Sequence, residues 1–218
     1  MEQKKFEDLK DLLNEWIRLD YILPEDIPSI ELYMDQITTF MEKGLRGNKR
    51  NEDDKILTKT MINNYSKNNL LPPSNKKKYS KDHIILLIYI YYLKNFLSIN
   101  DIQNLLKPMN EQHFGQDVNM TLSEIYSHIF QLEREYGVKI QESVQYIYET
   151  ACQQYEDDND YLKTFSMILL LSYDIYAKKQ LVEKLIDSMA QPIDSKAEKK
   201  EAKEREKKAK ENARKKQK

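Results

Sequence analysis

An all-α fold with little or no β structure is predicted for this 218-residue chain. Three observations predict it. Only 4 glycines and 6 prolines leave little material for hairpin turns. Apolar residues recur at i, i+3, i+4 and i+7 through most of the sequence. Serine and threonine stand where several of those periodic runs begin, as helix caps do.

In chain order, residues 4–19 read as an amphipathic helix through Phe6, Leu9, Leu13, Trp16 and Ile17, which Pro24 and Pro28 break. Ser29 is expected to cap a second helix through Met41, with Ile30, Met34, Ile37 and Met41 or Phe40 inward and Gly44 just beyond its end. Residues 44–55, GLRGNKRNEDDK, are a polar loop. Thr58 starts a short helix whose inner side is Met61, Ile62 and Tyr65.

After the stretch LLPPSNKKKYSKDHI, Ser80 caps a helix that is apolar nearly all round, which makes it the central element of its domain. Ser98 to Asp101 resembles a capping box, and Pro108 is expected to close that helix. Thr121 to Glu124 is a second capping box, opening a face of Leu122, Ile125, Ile129 and Leu132 that Gly137 interrupts. Val144, Ile147, Tyr148, Ala151 and Tyr155 mark a further inner face. Past the acidic turn 156–160, Leu162, Phe165, Leu169 and Tyr173 continue it, then Leu181, Leu185, Ile186 and Met189. From Ser195 the chain is nearly all Lys, Glu, Ala and Arg, with nothing to bury.

The net charge of −1 conceals segregation. Residues 49–107 hold 11 Lys and Arg against 5 Asp and Glu, whereas residues 108–194 hold 6 against 15. The basic middle is the part suited to a polyanion. Its densest cluster is Lys76, Lys77, Lys78 and Lys81, on an excursion stiffened by Pro72 and Pro73. With Met61, Ile62 and Tyr65 inward, Lys59, Asn63, Asn64 and Lys67 share the outward side of the preceding helix. Asparagines pair with adenine edges and lysines meet phosphates or guanine, so these eight residues form the candidate DNA-binding set. The competing reading is a lysine-rich loop kept for solubility.

Residues 58–106 resemble the DNA-binding domain of MerR-type transcription regulators, which carries a helix-turn-helix, a short wing and two further helices. Ile62 and Tyr65 stand at the leucine and final tyrosine of that family's second helix. Asn69-Leu70-Leu71 stands at its Gly-Leu-Leu, Lys77 near its wing arginine, and Tyr79-Ser80 at its Tyr-Ser. Asn63 and Asn64 replace the family's backbone-contacting arginine and first tyrosine, and the wing is several residues shorter. The stretches Glu31 to Leu45 and Leu57 to Pro73, with the helix after them, are similar to a bacterial family, domain of unknown function eighteen-thirty-six, itself regarded as MerR-like. The resemblance covers about residues 24–110. It implies a DNA-binding transcription regulator in which 30–41 is the first helix of the fold.

The expected organisation is an N-terminal helix (1–23), a MerR-like helix-turn-helix domain (24–110), a helical domain for dimerisation, effector sensing or protein contacts (111–192), and a charged tail (193–218). Expected partners are duplex DNA, a second copy of the chain, and a small-molecule or protein effector at the C-terminal helices, where tyrosines such as Tyr146, Tyr161 and Tyr173 invite an aromatic pocket. A non-enzymatic protein-interaction adaptor that keeps the helix-turn-helix shape is the alternative. His83, His113 and His128 lack metal spacing, the acidic turn lacks the glycine and closing glutamate of a calcium loop, and Cys152 has no activating neighbour in sequence. No enzyme, cofactor or metal is therefore expected. One cysteine, an N-terminus unlike a signal peptide and a longest apolar run of 10 residues, Ile84 to Leu93, suggest a cytoplasmic protein without a membrane span.

Overall fold

The computed structural model describes residues 22–116, 118–155 and 159–190. The expected helix 4–19, most of the acidic turn and the charged tail lie outside the described residues. Within them the fold is all-α: six helices and one two-stranded sheet.

The first helix, α1 (Met34–Gly44), buries Ile37 and Met41 one turn apart. It starts later than Ser29 implies. Leu32 and Tyr33 form strand β1 instead, and Ile30 is 69% exposed rather than inward. The reason is non-local: β1 pairs antiparallel with β2 (Lys78–Tyr79), Leu32 opposite Tyr79, and Leu32 is buried there. Gln36 Oε1 then accepts the Tyr33 N–H at 2.8 Å and starts the helix. Gly44 is the last helical residue, not the one beyond; a Cβ there would stand 2.8 Å from Ile22 Cγ1.

Helix α2 (Lys59–Lys67) begins as the sequence predicts, with Thr58 Oγ1 accepting the Met61 N–H at 3.2 Å. Ile62 and Tyr65 are buried, and Met61 is half-buried against the core. It ends in a Schellman motif: Leu70 N–H donates to Tyr65 O at 2.9 Å and Asn69 N–H to Ser66 O at 3.2 Å. Asn69 takes the left-handed conformation there, φ +56°. Leu70 and Leu71 follow it straight into the core.

Helix α3 (Lys81–Leu93) is the centre of the main core, burying His83 to Ile88 without a break, then Ile90 and Tyr91. Helix α4 (Ile99–Gln112) opens on the Ser98–Asp101 capping box, with reciprocal bonds of 3.2 Å. It runs through Pro108 rather than ending there. The proline removes the N–H that would reach the carbonyl of Asn104, an exposed residue that water can satisfy. Beyond it, Met109 packs on the core and Asn110 Nδ2 donates to Leu70 O at 3.3 Å, which holds the last turn in place.

Two long helices complete the fold. Helix α5 (Leu122–Gln153) starts at the Thr121–Glu124 capping box, with Thr121 N–H to Glu124 Oε2 at 2.7 Å. It passes through Gly137 without interruption, because one helical glycine costs only about 1 kcal/mol. Leu122 and Tyr126 join the main core, and Tyr126 Oη donates to Ile22 O at 2.6 Å. Helix α6 (Asp160–Ala190) packs on α5 and α4. Its inner side is only partly the expected one: Ile186 is buried as expected, but Met167 is buried beside Val144, Ile147 and Ala151 instead of the expected Phe165, Leu169 and Tyr173, which are exposed along with Leu181, Leu185 and Met189. A separate small cluster of Val144, Ile147, Ala151 and Met167 joins the far ends of the two helices.

Candidate nucleic-acid interface

Burial of Ile62 and Tyr65 turns Lys59, Asn63, Asn64 and Lys67 outward, and all four are exposed. The chain then leaves α2 over Pro72 and Pro73 and folds back at residues 75–78. Asn75 and Lys78 exchange backbone bonds of 3.1 and 2.8 Å, and the two residues between them, Lys76 and Lys77, have φ of +48° and +64°. Positive φ at both central positions is the pattern of a type I′ turn, whose twist suits a hairpin. The stretch expected to form a short basic wing is thus a two-residue turn closed by Asn75 and Lys78, and β2 at its end pairs with β1.

This places the turn beside α2. Asn63 and Lys77 line one hollow of about 420 Å³ together with Tyr33, Met34, Asp35, Ser74 and Tyr79. Lys76 and Lys77 are exposed, and among the described residues neither they nor Lys67 have a carboxylate partner. Lys78 is half-buried, its ammonium 5.7 Å from the centre of the Tyr33 ring. Lys81 is half-buried in the first turn of α3. Lys59 is ion-paired with Asp35, which puts one carboxylate on the same face.

The root of the turn is fixed by His83. Its Nδ1 accepts the Ser80 N–H at 3.0 Å and lies 2.9 Å from Ser80 Oγ. The ring packs edge-on against Tyr79 at 5.3 Å and Phe114 at 4.7 Å. Burial pushes its pKa down, opposed by the Pro73 and Pro72 carbonyls and the charges of Asp82 and Glu31. A neutral imidazole with a free Nδ1 lone pair is what the cap requires. Nε2 finds no hydrogen bond of normal geometry, although those proline carbonyls are close enough to favour its proton.

The loop between α1 and α2 adds residues that sequence reasoning passed over. A larger hollow of about 910 Å³ is lined by Thr38, Thr39, Glu42, Lys43, Arg46 and Arg50, among others. Lys49 is ion-paired with Glu42 on its wall. Both hollows border α1, where the Thr38 and Thr39 hydroxyls of the larger donate to the backbone O of Asp35, a residue of the smaller, at 2.9 Å. The signal available in sequence was the run Arg46 to Arg50, whose basic residues all precede the acidic residues 52–54. The far end of the loop is tied down by Lys94, whose Nζ donates to Ile56 O at 2.9 Å and stands 5.0 Å over the Tyr91 ring.

Tyr89 and Tyr126 meet in the main core at 5.7 Å, whereas Tyr146, Tyr161, Tyr173 and Tyr176 face solvent. Among the described residues no helix is long and apolar enough to cross a membrane. Residues 22–129 match the model of a family described as a domain of unknown function (DUF1836). No curated protein and no solved structure matches the chain.

Proposed function

With a domain of the DUF1836 family at residues 22–129 as the unit that acts, we propose that the chain is a MerR-like transcription regulator of the cytoplasm that binds duplex DNA. Helix α2 offers Asn63, Asn64 and Lys67 to base edges and phosphates, and Lys76, Lys77, Lys78 and Lys81 meet the backbone beside it. The observation that carries this reading is the shared hollow: Asn63 and Lys77 stand on one surface, so one duplex can meet both. The protein acts as a homodimer, because two such helices read a two-fold site better than one. Its C-terminal helices receive an effector or a protein.

The Lys59–Asp35 pair favours a second reading. A carboxylate on the contact face repels phosphate and suits a protein adaptor with a retained helix-turn-helix shape. Titration of the full chain with duplexes selected from the source genome separates the two. The triple variant Lys76→Ala, Lys77→Ala, Lys78→Ala is expected to weaken binding to every duplex and to lower the salt slope by up to about 0.9 per lost phosphate contact. An unchanged slope removes the turn from the interface, and no retention on DNA at low salt leaves the adaptor.

A further inference from the structure

The first half of α6 carries two faces. Lys163 and Met167 are buried on one, against α5. Rotated away from it, Tyr161, Phe165, Ile168, Ser172 and Ile175 follow one another at steps of four, three, four and three residues. That is the 3.5-residue repeat of a coiled-coil seam. Leu169 and Tyr176 flank it. The six large members of this face are each between 44% and 73% exposed. Tyr161 and Phe165 already stack on each other, centroids 6.0 Å apart.

We infer that this seam of α6 is where a second copy of the chain docks, helix against helix. The inference rests on the homodimer of the proposed function and gives it a surface. At these exposures the six side chains present about 700 Å² of largely apolar area, close to the ~800 Å² that each partner brings to a standard interface. A patch of that size exceeds what a monomer ordinarily leaves open. From Thr164 to Ala177 the one charged residue is Asp174, whose Oδ2 already accepts from Lys178 Nζ at 2.6 Å. The seam thus offers no charge to select an unlike partner, and the cations that follow it, Lys178 and Lys179, are already ion-paired with Asp174 and Glu183 rather than open to an anionic lipid surface. A self-complementary heptad face is satisfied by its own copy, residue i meeting j and j meeting i.

Sedimentation of the full chain across micromolar concentrations tests this. The wild type is expected to be dimeric, and Ile168→Lys and Ile175→Lys are each expected to raise the dimer dissociation constant at least about 100-fold. Both sites are exposed, so unchanged far-UV circular dichroism should accompany the loss. Ile168→Leu, which keeps the seam apolar, should remain dimeric. A dimer that survives both lysine variants overturns the seam while leaving the homodimer standing. A wild-type monomer overturns both, and a monomer that dimerises once residues 1–21 are deleted assigns the seam to the chain's own N-terminal segment.

Discussion

Lys76 and Lys77 hold the two positions of a type I′ turn that Asn and Gly occupy most easily. A side chain with a Cβ pays roughly 1–2 kcal/mol to sit in the left-handed region. Two adjacent lysines there are unfavourable for folding and useful for placing two ammonium groups at the tip of a rigid turn, the pattern expected where strain serves a site. Replacing the pair by Asn and Gly (Lys76→Asn with Lys77→Gly) is therefore expected to raise the urea unfolding free energy by about 1 kcal/mol and to weaken duplex binding in the same protein. Equal or lower stability would mean that the turn is not strained by its lysines. The sequence offers no hint of this conformation, since nothing in a run of lysines marks positive φ. Asn69 is the opposite case: asparagine tolerates the left-handed state, and φ is +56° there. Asn63 and Lys77 were legible as candidates one by one. Their meeting in one hollow was not, because it depends on β2 pairing with a strand some 45 residues earlier.

At the scale of the element, starts were easier to read than ends or faces. Thr58, Ser80, Ser98 and Thr121 all precede helices, because capping is chemistry within four residues and is written locally. Ser29 misleads for the converse reason: the pairing that keeps Leu32 and Tyr33 extended comes from Lys78 and Tyr79. Pro108 and Gly137 were read as breakers, and each is outweighed by what lies on both sides of it. In α6 the phase was misread because apolar residues occupy more than one side, so periodicity alone cannot say which side is covered. Gly137 makes the point measurable. It is helical, and a Cβ built there meets nothing within 4 Å. Gly137→Ala is expected to stabilise the protein by about 1 kcal/mol through the unfolded chain alone, read as a higher thermal midpoint with unchanged duplex affinity. No gain would show that α5 is not a continuous helix at that point in solution.

For the whole molecule, the uneven distribution of its core sets the order in which it opens. Helix α3 lies inside a cluster that draws on every element from Ile22 to Tyr126 and reaches Ile186 on α6. The far ends of α5 and α6 are held by Val144, Ile147, Ala151 and Met167, with Tyr148 and Leu171 packed beside them, and the stretch of α5 between the two clusters is exposed almost throughout. Opening that end exposes few apolar contacts, whereas freeing α3 requires the main core to come apart. Native-state hydrogen exchange should therefore find the amides of 84–90 exchanging only with global unfolding and those of 144–151 exchanging at least about 100-fold faster. The seam on α6 makes both protections depend on concentration. Residues 161–176 lie on the helix that closes the small cluster, so a docked second copy opposes opening of that end and, because global unfolding also undocks it, stabilises the whole native chain. Protection at 84–90 should rise as the protein is concentrated from low to high micromolar, and protection at 144–151 should rise with it because opening that end disturbs the seam. Equal protection at both places would show that the long helices and the main core unfold as one unit, and protection that does not change with concentration would show that no partner covers α6.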